Sequence, residues 1–122
     1  MPAAPHERPA VSTVLRSYSA FISEDADAVF DALVRRVANV PSGASMVLVD
    51  PRERRVVLQG DWWYRGEWVV SLDPAGGSDV DYTIVNVAQR AHWAGKFTAR
   101  RTLREAPDQF EKLAAQLRDE LE

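Results

Sequence analysis

The chain has 122 residues, 46% of them hydrophobic, no cysteine, and a formal net charge of -3 from 15 basic and 18 acidic residues. That length fits one domain with one core, and the lack of cysteine excludes disulfides, thiolate nucleophiles and cysteine-held metals. The charge balance argues against nucleic acid as a partner, because phosphate binding needs an electropositive face.

Residues 1–11 hold three prolines and no apolar run, so they read as a flexible tail that is not a secretory signal. His6 falls in that tail. Residues 12–122 then form the single expected domain. The first predicted strand covers Ser12 to Ser23, with Val14, Leu15, Tyr18, Phe21 and Ile22 in imperfect alternation. Ser23 or Asp25 caps a helix. Ala26, Val29, Phe30, Leu33, Val34 and Val37 recur at spacings of three and four, as an amphipathic helix requires. Aspartates sit at its start and Arg35 and Arg36 at its end, in accord with the helix dipole. Pro41, Ser42 and Gly43 are its expected stop.

A short run from Ser45 to Val49, a turn at Asp50-Pro51-Arg52-Glu53 and an arm from Arg55 to Gly60 predict a hairpin. A long strand is expected over about Trp62 to Asp73. After the loop Pro74 to Asp79 it returns as Val80 to Ala88. Sequential strands without helices between them make an antiparallel sheet. Arg90 to Ala106 has no clear period and is compatible with a strand, a helix or both. Pro107 and Asp108 open the predicted final helix, with Glu111 at capping-box distance and a stripe of Phe110, Leu113, Ala114, Leu117 and Leu121.

The richest stretch is Gly60 to Leu72. Alternation puts Trp62, Tyr64, Gly66, Trp68, Val70 and Leu72 on one face, and Trp63, Arg65, Glu67, Val69 and Ser71 on the other. Each large apolar side chain gains roughly 1.5–3 kcal/mol on burial, so the aromatic face must be covered by a helix, a ligand or a partner. With the final helix across it, the chain is an α+β fold in which a curved antiparallel sheet grips a long helix.

Ile22-Ser23-Glu24-Asp25-Ala26-Asp27-Ala28-Val29-Phe30-Asp31-Ala32-Leu33 resembles the strand-to-helix junction of the START-like superfamily, also called SRPBCC or helix-grip. That group includes polyketide cyclase/dehydrase-like and birch-pollen-allergen-like proteins. Trp63-Tyr64-Arg65-Gly66-Glu67-Trp68, the Pro-Gly-Gly loop and Tyr82-Thr83-Ile84-Val85-Asn86-Val87-Ala88 are similar to a small actinobacterial-type branch of it. The resemblance implies a hydrophobic cavity between sheet and C-terminal helix, suited to lipids, polyketides or other apolar molecules. The chain departs from the family in being short. It also carries Asn39-Val40-Pro41-Ser42-Gly43 where a tryptophan-bearing segment usually follows the first helix.

The expected ligand-binding set is Trp62, Tyr64, Trp68, Tyr82, Asn86, Trp93, Phe110, Leu113 and Leu117. The same aromatics would otherwise be ordinary core. Gly66 marks either room for a ligand or a bulge. Arg65 and Glu67, on the outward face, are expected to form exposed ion pairs with a neighbouring strand. His92 lacks a partner at catalytic spacing and reads as a loop histidine, so no catalytic residue is assigned. No metal-ligand motif stands out and no cofactor is expected. Lys96, Arg100, Arg101 and Arg104, with Arg90 nearby, form a basic cluster on the surface. The functional expectation is non-catalytic binding of a small apolar ligand. The alternatives are an interaction module with a packed core and a cyclase- or aromatase-type enzyme. A protein partner or a homodimer is compatible with the sequence. With no run of roughly 20 apolar residues to cross a bilayer, no stable membrane insertion is expected, and a cytoplasmic location is.

Overall fold

The computed structural model describes residues 2–39 and 44–122. The alternating segments form β1 (Thr13–Ile22), β2 (Met46–Asp50), β3 (Arg55–Gln59), β4 (Tyr64–Leu72) and β5 (Ser78–Asn86). They make one curved antiparallel sheet in the order β1-β5-β4-β3-β2. The helices are α1 (Ala26–Val37) after the first strand, α2 (His92–Thr98), and the long α3 (Arg100–Leu121) that the sheet grips. The expected helix-grip architecture is the observed one.

Local chemistry sets these elements. Asp25 caps α1, its carboxylate accepting from the Ala28 amide at 3.2 Å. The Pro41-Ser42-Gly43 stop lies outside the described residues. At the β2–β3 turn the Asp50 carboxylate accepts from the Arg52 and Glu53 amides at 3.0 and 3.3 Å. The uneven alternation in β1 has a cause: the register slips between Val14 and Arg16, which marks a bulge at Leu15.

Two expectations about helices and strands change. The last helix starts at Arg100 instead of Pro107, so Pro107 lies inside it and no capping box forms there. Proline withholds an N–H from the carbonyl four residues earlier. The apolar stripe nevertheless continues upstream through Leu103 and Ala106, which pack into the core, and that burial holds the extra turns. The long aromatic strand starts at Tyr64 rather than Trp62.

The core lies between one sheet face and two helices. Val56, Leu58, Trp68, Val70, Val80, Tyr82 and Ile84 meet Val29, Phe30 and Leu33 of α1 and Ala106, Phe110 and Leu117 of α3.

The opposite sheet face is also covered, by the stretch expected to be a tail. The Ala4 amide donates to the Val47 carbonyl at 2.9 Å, and the Val47 amide to the Pro2 carbonyl at 3.0 Å, so residues 2–4 run beside β2. Arg65 and Glu67, expected in solvent, are buried beneath the next residues. Arg65 donates from Nε to Glu67 at 2.7 Å, from Nη1 to the Pro5 carbonyl at 2.8 Å and Gln59 Oε1 at 3.0 Å, and from Nη2 to the His6 carbonyl at 2.8 Å. Arg8 reaches down to the same Glu67 with bonds of 3.1 and 2.8 Å. Buried charges persist where partners satisfy them, and here the N-terminal residues supply those partners.

Burial alone would push the Glu67 carboxyl up. Hydrogen bonds from Arg8 and Arg65, and the charges of Arg8 and Arg55, overcome it and bring the pKa from 4.5 down to about 2. A carboxyl with a depressed folded pKa contributes stability above its unfolded pKa, and that contribution is lost as pH falls through the folded value. The chain should therefore lose stability on acidification from about pH 4.5 toward 2, and Glu67→Gln should flatten that part of a urea-midpoint profile. Arg65→Met should cost about 3–5 kcal/mol in urea unfolding, as removal of one partner from a buried ion pair does. It should also speed amide exchange in residues 2–8.

Candidate ligand-binding site

The inward residues of β4 and β5 create an aromatic wall. Trp68 stacks on Tyr82 with ring centroids 4.4 Å apart and planes 12° from parallel. Phe110 of α3 lies 6.2 Å from Tyr82 and 5.8 Å from Tyr18 of β1, again stacked. Two inward register pairs further along, past Gly66 and Ile84, Tyr64 ends the wall. Gly66 is no bulge, since β4 keeps regular register with both neighbours. The gap it leaves is filled by Tyr64. A Cβ at Gly66 would overlap the Tyr64 hydroxyl and stand 2.9 Å from its Cζ and 3.0 Å from Trp68 Cη2. The ring folded over glycine brings the Tyr64 hydroxyl to 2.8 Å from that of Tyr82.

Beside this wall a cleft of about 760 Å³ opens between the sheet, the end of α1 and α3. Leu58, Trp63, Tyr64, Trp68 and Tyr82 line it from the sheet side, and Phe110 and Leu113 from α3. Arg36, Glu105, Gln109, Lys112 and Gln116 supply its polar surface. The volume lies within the roughly 300–1,000 Å³ of small-molecule sites.

Five residues of the sequence-derived set thus meet at one cleft: Tyr64, Trp68, Tyr82, Phe110 and Leu113. Four stand elsewhere. Leu117 is fully buried in the core behind it. Trp62 is 39% exposed, its indole N–H donating to the Arg90 carbonyl at 2.9 Å. Asn86 is buried under α2, donating to the His92 carbonyl at 2.8 Å and accepting from the Ala88 amide at 3.1 Å. Trp93 is 71% exposed on α2. His92 is held by Thr13 and the Ala88 carbonyl, both at 2.8 Å, and does not line the cleft.

Trp63 was missed because the parity count began too early. Gly60 to Trp63 is not strand; the Gly60 amide bonds the Tyr64 carbonyl at 2.9 Å, closing a turn. The Gly60-Asp61 pair was the available signal. Gln109, Lys112 and Gln116 share the face of Leu113 at spacings of three and four, a signal the apolar stripe overshadowed.

The phenols set the chemistry of the cleft. Burial first, then the adjacent Tyr82, pushes the Tyr64 hydroxyl well above 10. Burial pushes Tyr82 up to about 12, against the hydrogen bond from Tyr64. Both stay protonated at neutral pH. Two hydroxyl protons serve one mutual bond, so one remains to donate to a bound oxygen.

No protein-family profile and no curated protein matches this chain. Among solved structures, the di-domain ARO/CYC BexL from the BE-7585A biosynthetic pathway is similar, with a TM-score of 0.50 and 16% identity over 93% of this chain and 51% of that one. What the two share is the fold, a curved antiparallel sheet with a long C-terminal helix. The chain spans about half the length of that neighbour.

Gly66→Ala should displace the Tyr64 ring and break the phenol pair. The expected sign is an ultraviolet titration in which Tyr64, freed of its bond to Tyr82, moves down toward its ordinary value, while Tyr82, which loses the bond that lowers it, does not move down from about 12. The accompanying destabilisation should be about 1–3 kcal/mol, the usual cost of overpacking.

Proposed function

We propose that this protein is a START-like, SRPBCC-type binder that holds a small hydrophobic molecule, lipid- or polyketide-like, between its sheet and α3. The observation that carries this reading is the cleft of about 760 Å³ walled by the Trp68, Tyr82 and Phe110 rings. A flat, unsaturated ligand packs against the half-buried Trp63, Tyr64 and Leu113 side chains, over a floor of Trp68, Tyr82 and Phe110 that are themselves buried and stacked on one another, and affinity comes from apolar area removed from water. The spare phenol proton of the Tyr64–Tyr82 pair orients a carbonyl or hydroxyl oxygen of the ligand. The cyclase-like fold shared with BexL supports a polyketide-like ligand class. Neutral phenols donate hydrogen bonds and make poor bases at pH 7, which favours holding the ligand over removing a proton from it.

Native mass spectrometry of freshly purified protein should show a co-purifying small molecule, and an apolar fluorescent dye should compete for the same site. Leu113→Trp, which fills the cleft from the helix side, should weaken dye binding about tenfold or more while costing about 1–3 kcal/mol of stability. Equal dye binding by the wild type and the filled variant would overturn the assignment of this cleft.

A further inference from the structure

We propose that the face formed by α2 and the first turns of α3 docks on an anionic lipid surface. Trp93 and Phe97 lie four residues apart on one side of α2, in edge-to-face contact at 6.5 Å, and are 71% and 49% exposed. Lys96 Nζ stands 5.3 Å and Arg100 Cζ 5.2 Å from the centre of the Phe97 ring. A groove of about 610 Å³ runs beside them, between Leu15 and Arg16 of β1 and the side chains of Lys96, Phe97, Arg100 and Arg104.

This exposed pair is presented by a rigid mount. Ala91, just before α2, takes the left-handed conformation at φ 48°, a strained choice for a residue with a Cβ. Asn86 holds the turn from below through the His92 carbonyl, and His92 ties it to Ala88 and to Thr13. Gly95 allows this close approach: a Cβ there would sit 2.6 Å from the Asn86 amide atoms. A buried amide, a strained turn and a histidine thus fix two large aromatic side chains in water.

Charge selects the occupant. Residues 82–104 carry no carboxylate but hold Arg90, Lys96, Arg100, Arg101 and Arg104, the last four in their second half, although the chain as a whole is at -3. Among the described residues, Arg101 alone of these five has a carboxylate partner, Glu105 at 3.2 Å. Tryptophan and phenylalanine between lysine and arginine suit the headgroup level of a bilayer, where ring and charge are each satisfied. Phosphates or carboxylates answer the cations, and unpaired nucleobases also stack on rings, but neither fills an apolar floor. Lipid also answers the rings and the apolar groove floor of Leu15 and Leu103. Arg100 and Arg104 flank the apolar stripe of α3 on the side away from Glu105, Gln109 and Lys112, so this face is separate from the ligand cleft.

The full chain should co-sediment with phosphatidylcholine vesicles containing about a third phosphatidylglycerol, and not with phosphatidylcholine alone; added salt should release it. Binding should shift tryptophan emission to the blue, and Trp93→Phe should remove that shift while keeping a native circular dichroism spectrum. The double variant Lys96→Glu, Arg100→Glu should bind the anionic vesicles about tenfold or more weakly. Trp93→Ser with Phe97→Ser should weaken it several-fold. Failure to bind anionic vesicles would overturn the proposal. So would salt-sensitive binding with no Trp93 shift and no effect of the aromatic variants, which would mark a contact with a water-soluble polyanion.

Discussion

Strand β4 is buried on both faces, and most of the molecule is arranged to make that tolerable. It occupies the middle of the five-stranded sheet. Its inward side carries Tyr64, Gly66, Trp68 and Val70 against the core and cleft, and its outward side carries the buried Arg65 and Glu67. An aromatic face needs the apolar stripe of a long helix above it, which α3 provides. A guanidinium and a carboxylate out of water need hydrogen-bond partners, which the Pro5 and His6 carbonyls, Gln59 and Arg8 provide. The N-terminal residues are therefore part of the fold's electrostatics, and the helix is part of its aromatic packing.

The cleft follows from the same strand. A glycine between Tyr64 and Trp68 lets the Tyr64 ring fold inward until its hydroxyl meets that of Tyr82. Trp68, Tyr82 and Phe110 then stack as a continuous wall, while Arg36, Lys112 and the glutamines remain at its edge. The helix that covers this wall is longer than its proline suggests. The turns before Pro107 bring Thr102 and Glu105 to the cleft on one flank, and Arg100 and Arg104 to the basic groove on the other. One helix thus separates an aromatic site suited to a small molecule from a basic, aromatic face suited to an anionic surface.

Local patterns were legible wherever local physics decides. The three-and-four spacing of α1, its aspartate cap, the antiparallel hairpins and the stripe from Phe110 to Leu121 were all visible in the residue order, and the structure has them. The cleft was half legible. Tyr64, Trp68 and Tyr82 point inward because strand alternation is rigid once the strand has begun. Trp62 and Trp63 exchanged places because the strand begins two residues later than their aromatic character suggests, beyond a turn closed by Gly60. Asn86 has the parity of the pocket, yet it belongs to the mounting of α2, and Trp93 stands exposed on that helix, which is too short to show a period.

The amino-acid sequence by itself determined the alternating and helical periods, the apolar faces they create, and hence a sheet gripping a helix. Those are short-range matters of backbone geometry and side-chain spacing, written in consecutive residues. Only the tertiary structure decided that residues 2–4 run beside β2 and residues 5–8 lie over the sheet, that Arg65 and Glu67 are buried, that α3 runs through Pro107, and that the phenols of Tyr64 and Tyr82 meet. Each of these depends on groups far apart in the chain completing one another's hydrogen bonds or packing, and that energy exists only once the chain has closed on itself.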